Sequence, residues 1–182
     1  MSNSRRKNKM KKMNLKDYIR NIPDFPKPGI LFRDITTLLK DKKAFGLTVS
    51  SLSNKYKNKK IDVVVAVEAR GFILGGAVAE TLGAGFVPVR KSGKLPWKTN
   101  SVAYDLEYGT DTLEMHHDAI KPGDKVLIID DLLATGGTVK AVTELVKQLQ
   151  GKIAGIAFLI ELTGLKGKEK LKDFPVFSLI KY

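Results

Sequence analysis

The sequence predicts an α/β fold, a parallel twisted sheet flanked by helices, and two observations carry that prediction. Twice a branched apolar run long enough for a buried strand, residues 61–67 (IDVVVAV) and 126–129 (VLII), breaks off in polar residues. Each is followed by apolar positions at helical spacing, Phe72, Ile73, Val78 and Leu82 in one case and Val139, Val142, Leu145, Val146 and Leu149 in the other. Strand, polar loop and helix in repetition imply parallel strands, because a helical crossover brings the chain back to start its next strand in the same direction.

Length and composition bound the rest. The 182 residues suffice for one well-buried core, expected over residues 14–182, and leave too little for a second ordinary domain. The chain has no Cys, which removes disulfides and thiolate nucleophiles and suits a reducing compartment, so a cytoplasmic protein is expected. No apolar run approaches membrane-spanning length and the N-terminus lacks the apolar core of a secretion signal, so no membrane partner is expected. Residues 1–20 hold eight Lys and Arg against one Asp, which is +7 of the total +13. A basic, disordered tail over residues 1–13 is the expectation, and nucleic-acid binding is not.

Taken in order, Asn14 suits a helix cap, with Leu15, Tyr18, Ile19 and Ile22 on one side of a short helix that ends by Pro23. Pro23, Pro26 and Pro28 then impose an extended path to ILFRD, where Leu31 and Phe32 suit the core or an apolar slot for a flat ring. Asp41 precedes Phe45, Val49, Leu52 and Tyr56 at helical spacing. The strand at 61–67 ends in Glu68-Ala69-Arg70-Gly71, and Arg70 there is placed for an anion, with a surface ion pair as the alternative. Residues 86–89 form a third strand, followed by a basic loop, residues 90–96 (RKSGKLP). His116 and His117 are adjacent and lack a third ligand at useful spacing, so they read as surface residues. Residues 121–124 form a turn into the central strand, and residues 153–162 and the FPVFSLIKY tail complete the sheet.

The chemistry concentrates at residues 126–138, VLIIDDLLATGGT. The strand is expected to stop at Asp130, where a loop begins. Thr135-Gly136-Gly137-Thr138 then opens a helix, and a glycine turn with a helix N-terminus behind it suits a phosphate. A tight turn with capping hydroxyls is the other reading. Two adjacent carboxylates at a strand's carboxyl end can hydrogen-bond a vicinal diol or hold water around a metal. A ribose 5-phosphate offers both diol and phosphate. No Lys follows the second glycine and no G-x-G-x-x-G occurs, so neither a Walker loop nor a dinucleotide fold is indicated.

The apolar run, the acid pair and ATGGT resemble the phosphoribosyl-pyrophosphate (PRPP) motif of the type I phosphoribosyltransferases, and the form DDLLATGGT resembles the branch of that family that uses adenine. The resemblance extends from about residue 14 to 182 and includes FPKPGILFRD, EARGF, VPVRKSGKLP and YDLEYGTD. It implies the family's fold, with a small hood from the N-terminal segment where Leu31, Phe32 and Arg33 contact adenine, and a flexible lid over residues 101–108. By the same resemblance Asp130 and Asp131 hold the ribose hydroxyls. Leu132, Leu133, Ala134, Thr135, Gly136, Gly137 and Thr138 complete a site for PRPP and AMP, while Arg70 and Lys91 face the pyrophosphate. Glu107, with Tyr108 beside it, is the implied proton partner of purine N7, and a cis peptide is implied at Glu68–Ala69. Mg²⁺ is implied as cofactor, held mainly by PRPP and at most through water by Asp130 and Asp131, with no metal site made by the protein alone. The implied assembly is a homodimer. The implied reaction converts adenine and PRPP into AMP and pyrophosphate, in purine salvage. Two alternatives stand beside it: transfer to hypoxanthine, guanine or xanthine, and a non-catalytic PRPP sensor that binds nucleic acid. Related hypoxanthine or guanine enzymes commonly carry an Asp where this chain has Ala134, which favours adenine.

Overall fold

The computed structural model describes residues 13–105 and 110–182, which fall into two compact units divided between Gly46 and Leu47. In the first unit Asn14 caps a single 3₁₀ turn, Leu15–Tyr18, its side chain accepting the Lys16 N–H at 3.2 Å. The helix expected to reach Pro23 stops there. Strand β1, Arg20–Ile22, follows and pairs antiparallel with β2, Phe32–Asp34, with Ile22 opposite Phe32. The prolines do not hold the intervening chain straight. Asp24 and Gly29 take positive φ of 56° and 85°, the Phe25–Pro26 peptide is cis, and the Gly29 N–H donates to Asp24 Oδ1 at 2.7 Å. Proline fixes its own φ but not the direction of the chain, and Asp and Gly at left-handed positions reverse it.

A short helix α1, Thr36–Lys40, precedes α2, Lys42–Tyr56, whose first turn is capped by Asp41 Oδ1 accepting the N–H groups of Lys43 and Ala44 at 3.0 and 2.9 Å. The buried stripe of α2 is Ala44, Thr48, Leu52 and Tyr56, so Phe45 and Val49 sit beside it rather than in it. The boundary between the units falls within α2.

The second unit is built on a seven-stranded sheet of order β5-β6-β4-β3-β7-β8-β9. Its strands are β3 Val63–Val67, β4 Gly85–Lys91, β5 Thr99–Asp105, β6 Thr110–His116, β7 Lys125–Leu133, β8 Lys152–Glu161 and β9 Val176–Lys181. The five from β4 to β9 in that order run parallel, as the repeated strand–loop–helix units require, with α3 (Arg70–Leu82) joining β3 to β4 and α4 (Gly137–Gln148) joining β7 to β8. Strands β5 and β6 form an antiparallel hairpin added at one edge, so the sheet is mixed. Every residue of β3 is buried, and Val65, Ile128, Val142, Leu145 and Phe158 are sealed from solvent in one core. Each such side chain contributes roughly 1.5–3 kcal/mol by leaving water, which fixes the strands whose polar ends carry the chemistry.

Two strand ends differ from expectation. Strand β7 does not stop at Asp130 but runs through the acid pair to Leu133, because Asp130, Leu132 and Leu133 continue the ladder opposite Phe158, Ile160 and Glu161. Backbone pairing is indifferent to the charge on a side chain that projects from the sheet. Strand β4 likewise includes Arg90 and Lys91, which pair with Glu114 and Leu113 of the hairpin.

Candidate active site

Strands β3 and β7 are neighbours in register, Ala66 beside Ile129, so their carboxyl ends bring residues 68–71 next to residues 130–138. In open parallel sheets that edge is where ligands bind. Arg70 opens α3 and its guanidinium lies 2.9 Å from Asp131 Oδ2, in an ion pair whose acid is nearly buried. Asp130 is half-buried and its Oδ1 accepts the Asp131 N–H at 2.8 Å. Burial pushes the Asp130 carboxyl well above the usual range, and the negative charge of Asp131 adds to it. Burial raises Asp131 as well, against the opposing pull of Arg70.

The first turn of α3 passes so close to β7 that a Cβ on Gly71 would lie 2.8 Å from Asp130 Oδ1 and 3.4 Å from the Ile129 carbonyl oxygen. The glycine of EARGF is therefore what lets the acid pair and Arg70 come together. The Glu68–Ala69 peptide ahead of it is cis.

Beyond Leu133 the chain turns through Ala134, Thr135 and Gly136, the last at φ 80°, and enters α4 at Gly137. Residues 132–139 and Asp130 enclose a pocket of about 80 Å³, the scale of one phosphate group. The first turn of α4, Gly137, Thr138 and Val139, lines it, and the N–H groups of a helix's first turn have no partner within the helix and carry its positive dipole end. The loop is held from behind by backbone. A Cβ on Gly136 would meet the Gly167 carbonyl oxygen at 2.5 Å, and one on Gly167 would meet the Ala134 carbonyl oxygen at 2.2 Å.

A cavity of about 490 Å³ opens beside this cradle and shares Asp130, Leu132, Ala134 and Thr138 with it. Its remaining wall includes Val67, Glu68, Ala69, Arg70, Lys91, Tyr104, Leu113 and Asp131. The basic turn after β4 is tied down by Glu68, whose carboxylate accepts the Lys91 N–H at 2.7 Å and Arg90 at 3.1 Å, with Lys94 Nζ at 3.4 Å. Burial pushes Glu68 up, but the Lys91 N–H, Arg90 and Lys94 together outweigh it and hold the carboxyl below its ordinary value. Lys91 Nζ is paired at 2.8 Å with Asp111, which raises the lysine and lowers the acid.

Of the residues singled out from sequence, the structure gathers Arg70, Lys91, Asp130, Asp131, Leu132, Ala134 and Thr138 around the larger cavity, and Leu133, Thr135, Gly136 and Gly137 around the cradle. Leu31, Phe32 and Arg33 belong to the first unit. There Leu31 is exposed, Phe32 meets Phe25 edge-on with ring centres 5.1 Å apart, and Arg33 hydrogen-bonds the Asn21 side chain. Glu107 and Tyr108 lie outside the described residues. His116 closes β6 half-buried, and Trp97 packs against both His116 and His117. Sequence reasoning gave no individual role to Glu68, Asp111 and Gly167, and placed Tyr104 only within the lid. Glu68 could have been suspected as a lone acid ahead of a basic loop, whereas Gly167 acts by backbone contact and leaves no pattern.

The chain matches the phosphoribosyl transferase domain family over residues 36–181. It is 58% identical over 168 residues to an adenine phosphoribosyltransferase of Halothermothrix orenii, covering 92% of this chain and 99% of that one. It is similar to the crystal structure of adenine phosphoribosyltransferase from Thermoanaerobacter pseudethanolicus, with a TM-score of 0.90, 54% identity and coverage of 92% and 98% of the two chains. It is also similar to the Saccharomyces cerevisiae enzyme complexed with adenine and an imino-altritol bisphosphate, with a TM-score of 0.86, 41% identity and coverage of 91% and 96%. On the cradle, the acid pair and these likenesses, the chain belongs to the phosphoribosyltransferase family, among the adenine phosphoribosyltransferases.

Proposed function

We propose that this protein transfers the 5-phosphoribosyl group of PRPP to adenine, releasing AMP and pyrophosphate, a purine-salvage reaction. The observation that carries the reading is the continuity of a phosphate-sized cradle with a cavity lined by three acids, Glu68, Asp130 and Asp131, and two cations, Arg70 and Lys91. The 5-phosphate docks on the amides of residues 134–138, and Asp130 and Asp131 grip the ribose hydroxyls. The bond from C1 of the sugar to the pyrophosphate oxygen breaks as purine N9 attacks, through a sugar of cationic character such as glycoside cleavage also produces. The two carboxylates face that developing positive charge, while Arg70 and Lys91 face the departing anion.

Mg²⁺ fits this site as an ion carried by PRPP. The adjacent carboxylates of Asp130 and Asp131 on the cavity wall are the groups that would meet such an ion through water. When bound, Mg²⁺ neutralises charge on the pyrophosphate. Glu107, in the EYGTD stretch, exchanges a proton with purine N7, with Tyr108 beside it. Leu31, Phe32 and Arg33 receive the adenine ring, and residues 14–182 act as one phosphoribosyltransferase domain. Ala134 carries no acid to serve a 6-oxopurine, which favours adenine over hypoxanthine or guanine. We further propose a cytoplasmic homodimer, a setting that suits a chain without cysteine.

Purified protein given Mg²⁺, PRPP and each nucleobase in turn is expected to form AMP from adenine and at most traces of product from the others. Comparable turnover of hypoxanthine or guanine defeats the specificity. Glu107→Gln is expected to lower kcat by about 10²-fold or more with little change in PRPP affinity, and an unchanged kcat removes Glu107 from the chemistry.

A further inference from the structure

Lys91 is not a free cation at the cavity wall. Its Nζ lies 2.8 Å from Asp111 Oδ2, and the other oxygen of that carboxylate accepts the Thr112 N–H at 2.8 Å. The acid is thus fixed by its own strand and presents one oxygen to the lysine. Strands β4 and β6 are antiparallel neighbours with Lys91 opposite Leu113, so Asp111, two residues along, projects on the same face and reaches Lys91 diagonally. Lys91 lines the cavity, while Asp111 is not among the described residues that do. The side chains of the pair are 58% and 23% exposed, so the bridge is a weak and exchangeable one.

We propose that Asp111 is a resident counter-ion for Lys91, competing with the pyrophosphate group for that cation and so setting how tightly pyrophosphate is held, whether within PRPP or as product. This rests on the reading of Lys91 as a pyrophosphate contact. A polyanion arriving at Lys91 must either displace the Asp111 carboxylate or accept its repulsion at close range. Both routes weaken binding by a modest factor, and both speed the release of product pyrophosphate from the site. The hydrogen bond raises Lys91 and lowers Asp111, so both groups are charged at neutral pH and the competition operates there.

The test is calorimetric titration of Mg²⁺-pyrophosphate into the wild-type protein, Asp111→Asn, Asp111→Glu, Lys91→Met and the Asp111→Asn/Lys91→Met double variant. Asp111→Asn is expected to bind about three- to tenfold more tightly than wild type, a gain that loss of a structural contact would not produce. Asp111→Glu is expected to return towards the wild-type value, Lys91→Met to lose about tenfold, and the double variant to match Lys91→Met. Unchanged or weaker binding by Asp111→Asn, with Lys91→Met impaired, overturns the counter-ion role. Wild-type affinity in Lys91→Met overturns instead the reading of Lys91 on which it rests.

Discussion

Asp130 and Asp131 are adjacent and lose water to burial, and a single guanidinium, that of Arg70 paired with Asp131, answers two charges. Their folded pKa values lie above the unfolded ones, so the stability each acid contributes is complete below the ordinary carboxylate range and is lost as pH rises through the raised folded values. At neutral pH the pair therefore burdens the ligand-free protein. Asp130→Asn keeps an oxygen to accept the Asp131 N–H while removing a charge, and is expected to raise Tm at pH 8 by a few degrees, about 1 kcal/mol, with little change near pH 4. The same variant should weaken PRPP binding at least about tenfold, because the neutral amide holds a sugar diol less firmly than a carboxylate does. Scanning calorimetry at both pH values and a PRPP titration check this, and a lower Tm at pH 8 shows that the acid is not a burden. At this scale the acid pair was legible because two carboxylates after an apolar run are conspicuous. The partners Glu68 and Asp111 were not, since Glu68 to Arg90 and Lys91 to Asp111 are contacts across strands that only the register creates.

Helix α4 was legible because a buried face imposes its period on the chain, and β3 because a strand buried on both faces reads as an unbroken apolar run. The β1–β2 and β5–β6 hairpins were not, since a three-residue strand has too few positions to show alternation, and residues 101–105, expected to belong to the lid over 101–108, are strand β5 paired with β6. The phosphate loop shows what an element needs beyond its own sequence. Residues 134–136 hold their shape because the backbone at Gly167 fills the space behind them, and neither glycine can carry a side chain without moving the other. Gly167→Ala is expected to cost about 1–3 kcal/mol in urea unfolding, as overpacking of a closed contact does. It should also weaken PRPP binding by tilting the cradle, with the helix content by circular dichroism unchanged. Gly136→Val combines that clash with a residue forced to φ 80° and should abolish PRPP binding, so normal affinity in either variant refutes the buttressed loop.

The parallel sheet was legible at the scale of the whole chain because two strand–loop–helix units repeat, whereas the pairing of strands far apart in sequence followed only from the structure. Net charge belongs to this scale as well. Residues 1–12 hold six of the basic residues and no acid, so removing them lowers the net charge from +13 to +7. A basic tail could steer the polyanionic PRPP towards the site from a distance, and such steering fades as salt shortens the Debye length from about 20 Å near 0.02 M to about 7 Å near 0.2 M. The cradle, the acid pair, Arg70 and Lys91 all lie in the second unit, and contacts with a ligand at that range are screened by salt far less than long-range steering is. The protein lacking residues 1–12 is therefore expected to keep kcat and the KM for PRPP within about twofold of the full chain at both salt concentrations. A KM that rises on truncation at low salt alone assigns the tail a steering role, and a fall in kcat at both concentrations shows that it helps to build the site.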